Sequence, residues 1–166
     1  MPIRPVLRFP HGALKSPSSD ITAIDEDALS LAQDLIDTMR SADHCVGLAA
    51  PQIGINIRAF ALNVRGHPKA LSDHGEFVLF NPRIIEGYDA VEGREGCMSV
   101  PDLTGDVMRW SRVTVAGMAI DGSQMTLEAD AFEARAIQHE VDHLDGLLFL
   151  DRVASREALF RRRTYR

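Results

Sequence analysis

The stretch His139-Glu140-Val141-Asp142-His143 constrains this chain more than any other. On a helix, residues four apart lie one above the other, so the two imidazoles can grip a single metal ion. Glu140 stands one step round, within reach of water held by that metal, the H-E-x-x-H arrangement of metal-dependent hydrolytic sites. Counting back from His139, the residues Ala136, Arg135 and Phe132 fall on the same face and should border the cavity beside the metal. Phe132 and Ala136, with Val46, could line an apolar slot for an unbranched side chain such as methionine; ordinary core packing would use the same residues.

Two imidazoles do not complete a catalytic centre, which needs a third protein ligand and one open position. The chain has two cysteines, Cys45 and Cys97. Cys97 lies in Arg94-Glu95-Gly96-Cys97-Met98-Ser99-Val100-Pro101, where Gly96 leaves room for close approach and Pro101 is expected to end any regular strand. A lone cysteine commonly serves as a small apolar filler, but its thiolate is also the soft ligand that would complete a His-His-Cys set. Cys45 precedes Val46-Gly47-Leu48-Ala49-Ala50-Pro51-Gln52-Ile53-Gly54, a tight apolar segment in which Gln52 has a free amide to offer.

Taken in order, Cys45-Val46-Gly47-Leu48-Ala49-Ala50-Pro51-Gln52, Glu95-Gly96-Cys97-Met98-Ser99 and His139-Glu140-Val141-Asp142-His143-Leu144 resemble the peptide deformylase family. Its signatures are G-x-G-L-A-A-x-Q, E-G-C-L/M-S and H-E-x-D-H-L, and the resemblance runs from about residue 5 to 150 with matching spacing. It implies Cys97, His139 and His143 as metal ligands and Glu140 as the general base that later hands its proton to the leaving amine. Gln52 and the backbone N–H of Met98 would donate to the oxyanion formed when activated water attacks a formyl carbon, with Gly47 among the catalytic residues and Leu48 and Val46 beside the substrate. The implied reaction removes the N-formyl group from the initiator methionine of newly made proteins and releases formate. The implied cofactor is one divalent ion, Fe(II) foremost, with zinc, nickel or cobalt able to replace it.

Two positions depart from the family pattern. Cys45 stands where glycine is usual; if that position needs a positive φ, a cysteine there costs roughly 1 kcal/mol. Thr104 stands where many members carry an arginine, which puts a contact to the peptide backbone from that position in doubt. Asp142 is read as the partner of Arg109, orienting the metal helix against the strand after Cys97. Two other readings are a metallopeptidase, which usually recruits a histidine or carboxylate as third ligand, and a catalytically idle relative.

The 166 residues suit one domain, and 45% apolar with 25% charged residues is ordinary for a soluble globular chain. No apolar run reaches membrane-spanning length, and Met1-Pro2-Ile3-Arg4-Pro5 lacks the apolar core of an export signal. A cytoplasmic monomer is expected, with the bacterial cytosol foremost. The net charge of −6 is uneven: residues 152–166 hold six arginines against Glu157, giving +5 and leaving −11 elsewhere. The expectation is therefore a catalytic domain over 1–151 and a basic, helical segment over 152–166 that could touch ribosomal RNA.

The patterns predict an α+β fold of small, mostly antiparallel sheets around a central metal-binding helix, with an N-terminal and a short C-terminal helix. Asp25 caps a helix carrying Leu29, Ala32, Ile36 and Met39. Strands are expected over 57–64 and 113–120, with Asp121-Gly122 turning into 125–127. Residues 66–75 read as a mobile loop, and the ligand helix spans about 130–143 and stops at Gly146. Trp110 reads as core, and His11, His44, His67 and His74 as surface residues.

Overall fold

A computed structural model describes residues 3–162. Helix α1 (Glu26–Ser41) begins at Asp25, whose Oδ1 accepts the Ala28 N–H at 2.9 Å. Glu26 and Asp27 in its first turn and Arg40 in its last complement the helix dipole. Its buried stripe is Ala28, Leu31, Ala32, Leu35 and Met39, one step round from the expected one, because Leu29 faces solvent.

Among the described residues six strands form one sheet: β1 (Gly47–Ala49), β2 (Ala59–Leu62), β3 (Phe77–Cys97), β4 (Val100–Met118), β5 (Gln124–Asp130) and β6 (Leu159–Arg161). Every pairing is antiparallel, in the order β1-β2-β3-β4-β5, with β6 also on β4. One continuous sheet therefore replaces the several small ones expected. The long β3 and β4 pair along most of their length but slip register at three points. At the last, Cys97 pairs with Val100 while Gly96 pairs with Thr104, so 101–103 bulge out. Pro101 sits in that bulge instead of ending the strand, since its missing N–H forfeits no rung of the β3–β4 ladder there.

The turn at Asp121-Gly122, with Gly122 at φ 84°, leads into β5, which runs directly into helix α2 (Ala131–Leu144). Gly146 at φ 78° follows its end, and a β-carbon there would meet the Lys15 backbone. The two helices cover opposite faces. Ala134, Ile137, Val141 and Leu144 of α2 pack on Phe60, Leu62, Leu79, Val113 and Val115. The α1 stripe packs on Leu48, Ala59, Ala61, Val78 and Phe80. Strand alternation sorts Leu48 to one layer and Ala49 to the other.

Two expectations need correction. The segment after residue 151 does not form a helix: Arg156–Ala158 make a single 3-10 turn and 159–161 pair with Leu103–Gly105 as β6, while residues 163–166 lie outside the described part. Trp110 is 45% exposed, because the inward positions of β4 around it belong to Val107 and Arg109, leaving its ring on the outer face over Gly87. Within the 66–75 loop Asp73 bonds to Arg65, Ser72 to Asp130, and His74 to the buried Glu133 at 2.7 and 2.6 Å. Among the described residues no helix is long and apolar enough to cross a membrane.

Asp25→Ala removes a side-chain cap from α1 and is expected to lower stability by about 1 kcal/mol with an unchanged denaturant slope, read from urea unfolding.

Candidate metal centre

Cys97 closes β3 just before the two-residue turn Met98–Ser99, which aims its side chain across to α2. His139 and His143, one helical turn apart, bring their rings within 5.0 Å centre to centre. One ligand atom from each of Cys97, His139 and His143 lies within 4.8 Å of the others, and Cys97 Sγ is 3.4 Å from His143 Nε2. Bond lengths of about 2.3 Å to sulfur and about 2.0 Å to nitrogen at a tetrahedral angle put two such ligands about 3.5 Å apart. The donor set and its spacing fit a divalent metal ion.

Electrostatics agree. Burial pushes the pKa of His143 well below the usual range, so its ring is neutral and able to ligate. Burial also opposes charge on His139, but the Cys97 sulfur on one side and Glu95 on the other outweigh it and raise its pKa well above the usual range. The pocket between sulfur and rings therefore favours positive charge. Glu95 Oε1 lies 2.9 Å from His139 Nδ1, an arrangement in which Nδ1–H donates to the carboxylate and Nε2 faces the centre. Burial alone would raise the Glu95 pKa; Arg109 and His139 override it and hold the carboxyl below the usual carboxylate range.

Glu95 is the hub of a buried network. Arg109 donates to both its oxygens at 2.8 and 2.9 Å, and Arg135 adds a bond at 2.8 Å. Arg109 also donates to Asp142 at 2.6 Å, and Arg152 grips Asp142 with two bonds at 2.9 and 2.8 Å. Further bonds seat α2 on β4. Gln138 accepts the Trp110 N–H at 2.9 Å and donates to the Trp110 carbonyl at 2.8 Å, and Arg135 donates to the Val107 carbonyl at 3.0 Å.

Glu140 faces the cavity beside this centre, with Oε2 buried and without a protein partner. Burial raises its pKa to about 7. Gly47 explains itself by distance, since a β-carbon there would lie 2.8 Å from Glu140 Oε1. The Gln52 carbonyl accepts the Ala49 N–H at 2.9 Å, turning its NH2 toward Ser99 Oγ at 3.0 Å and Cys97 Sγ at 3.7 Å. Met98 lies on the cavity wall.

The cavity, about 470 Å³, is also lined by Val46, Phe132, Arg135 and Ala136. Leu48 is not part of it; fully buried, it points into the α1 layer, so its assignment to the pocket is corrected. Arg135 reaches the lining, yet its guanidinium is bound to Glu95 and to the Val91 and Val107 carbonyls. His67, read from sequence as an uninvolved surface residue, stacks on Phe132 at 3.8 Å and joins the wall, as do Asp43 and His44. Ser99, too, gave no signal in the sequence beyond its motif.

Cys45 carries no positive φ; that conformation falls one residue earlier, on His44 at 63°. Its thiol donates to the Gly47 carbonyl at 3.3 Å, and burial pushes its pKa up to about 12, with Glu140 adding to the effect. A thiol held protonated in this way is a weak ligand and a poor nucleophile.

A cysteine sulfur, two imidazoles, a buried carboxylate and an amide donor surround one cavity, a group of side chains that could hold one metal ion. The sequence model of the polypeptide deformylase family matches residues 3–158. A peptide deformylase of Halothermothrix orenii is 41% identical over 155 residues, covering 92% of this chain and 95% of that one. Peptide deformylase 1 of Bacillus subtilis is 40% identical, covering 93% and 92%. The crystal structure of peptide deformylase from Thermotoga maritima superposes with a TM-score of 0.84 at 31% identity, covering 93% of this chain and all of that one. The Ehrlichia chaffeensis enzyme in complex with actinonin gives 0.87 at 28% identity, covering 95% and 92%. The chain belongs to the polypeptide deformylase family.

Arg109→Ala would remove the buried cation shared by Glu95 and Asp142, leaving Glu95 with Arg135 and His139 and Asp142 with Arg152. It is expected to cost about 3–5 kcal/mol in urea unfolding and to lower metal content after dialysis. Unchanged values for both would show that the network does not hold α2.

Proposed function

We propose that this protein hydrolyses the N-formyl group of formyl-methionyl peptides, releasing formate and a free α-amine. The observation that carries the reading is the convergence of Cys97, His139 and His143 on one point, beside Glu140, at a cavity with an apolar wall. Cys97, His139 and His143 would hold a divalent ion, Fe(II) in this reading, which when bound would lower the pKa of water and act as a Lewis acid toward the formyl group.

Everything else is done by the chain. Glu140, buried and with one oxygen unpartnered, takes the proton from the attacking water and returns it to the departing amine. Its raised pKa suits a group that must both accept and give up a proton near neutrality. The Gln52 NH2, aimed by the bond from Ala49 N–H to its carbonyl, and the Met98 N–H meet the charge that develops on the formyl oxygen. Val46, Phe132 and Ala136 receive the methionine side chain.

The substrates in this reading are nascent chains and the setting is the cytoplasm. A metallopeptidase reading loses its support because Glu95, the carboxylate nearest the histidines, is fully engaged by Arg109, Arg135 and His139. The idle reading loses its own because Cys45 is neither strained nor ionised.

The test is formate release from formyl-Met-Ala-Ser under anaerobic conditions with Fe(II). Wild type should turn over, and Glu140→Ala should lose at least about a hundredfold in kcat with its metal retained. Cleavage of acetylated or internal bonds, or an unaffected Glu140→Ala, would overturn the reading. Separately, Ala136→Trp should raise KM for formyl-Met substrates, and an unchanged KM would remove Ala136 from the methionine slot.

A further inference from the structure

Ser99 follows the Cys97–Met98 pair, is fully buried, and takes no part in the chemistry assigned to those two residues. Its hydroxyl oxygen accepts a hydrogen bond from the Gln52 NH2 at 3.0 Å, 47 residues away in the chain. Gln52 is buried as well, so bulk water does not compete for that amide. The 3-10 turn Ala50–Ile53 sets Gln52 three residues past Ala49, where its side-chain carbonyl reaches back to the Ala49 N–H at 2.9 Å.

A glutamine amide turns about a broad terminal torsion, so its donors have no fixed direction unless both ends are held. Here both are. The Ala49 N–H requires the oxygen end, which settles where the nitrogen lies, and Ser99 takes one of the two N–H groups. The amide is planar, so the direction of the second N–H follows; Nε2 stands 3.7 Å from Cys97 Sγ, and that hydrogen faces the centre. The frame beneath is tied too. The Leu7 N–H donates to the Gln52 backbone carbonyl at 2.7 Å, and the Phe9 N–H donates to the Ser99 carbonyl at 2.8 Å. These donors are two residues apart, so one short piece of the N-terminal segment holds both backbones, while the Leu7 side chain packs on the apolar cluster of Leu14, Cys97 and Leu148.

We propose that Ser99 is a positioning residue for Gln52, a role that rests on the deformylase reading above. Its hydroxyl engages one N–H of the amide and so keeps the other aimed at the oxygen that gains charge during hydrolysis. A donor already in place needs no reorganisation as that charge appears, which is what gives such a donor its value. Without Ser99 the amide turns about its terminal bond, and the N–H is aimed for only part of the time. The formyl oxygen of the unreacted substrate carries little charge, so the loss falls on kcat and leaves KM in place. Ser99 acts through Gln52 alone.

The test is a double-mutant cycle on formate release from formyl-Met-Ala-Ser, with Fe(II) under anaerobic conditions and kcat taken per bound metal ion. Ser99→Ala should lower kcat about tenfold, with KM unchanged within about twofold. Gln52→Ala should lower kcat about a hundredfold, and adding Ser99→Ala to it should change kcat by less than about twofold, because the group that Ser99 orients is already gone. A merely structural serine would lower kcat by the same factor in both backgrounds. Nitrogen relaxation of the Gln52 side-chain amide in the zinc-loaded protein gives a second readout, rigid in wild type and mobile in Ser99→Ala. Equal losses in the two backgrounds, an undiminished kcat in Ser99→Ala, or an amide equally rigid in both proteins would overturn the proposal and leave the deformylase reading standing. A wild type that releases no formate would overturn the two together.

Discussion

A carboxylate taken out of water holds this structure in working order. Glu95 joins the strand that carries Cys97 to the helix that carries His139 and His143, and it does so through charge. Arg109 and Arg135 neutralise it, and it in turn fixes the tautomer and direction of His139. Taken singly, each buried ion would be costly; as a fully bonded set they leave no charge unanswered. Asp142 extends the set to Arg152, so the packing of α2 and the chain after it depend on the same network.

The Cys97, His139 and His143 cluster was legible in sequence because its chemistry is short-range and its residues rare. The i, i+4 pair His139 and His143 needs only helical spacing, and α2 spans 131–144 as its pattern requires. Asp25 and Gly146 also mark their helix ends by local chemistry. What escaped the sequence is what depends on distant chain returning to one place. Gln138 bonding to Trp110, His67 stacking on Phe132 and Glu95 gathering two arginines join residues 28 to 65 positions apart, or lie on strands whose register no local pattern sets. Trp110 was misread because apolar bulk signals core only when the strand's phase is known, and here the inward position of β4 is held by an arginine. The basic end was misread because charge says nothing about whether a short segment will pair with an open strand.

Cys45 and Thr104 show how departures from a family pattern resolve once backbone and neighbours are known. The cysteine adopts ordinary dihedrals and points its sulfur at a carbonyl, while the left-handed residue is its predecessor. Thr104 Cγ2 and the Arg162 guanidinium both lie beside the α-carbon of Gly96. Both changes are absorbed locally, and the geometry of Cys97, His139 and His143 is kept.

The far edge of β4 has a consequence for the molecule's behaviour among its own copies. Strand β5 pairs with 112–118 and β6 with 103–105, and between them side chains of α2 take the amide and carbonyl of Trp110 and the carbonyl of Val107. An incoming strand from another copy finds those rungs already occupied. The same glutamine and arginine that seat the helix therefore occupy the rungs of this nineteen-residue strand that β5 and β6 leave uncovered, which guards that stretch of its edge against pairing with another chain.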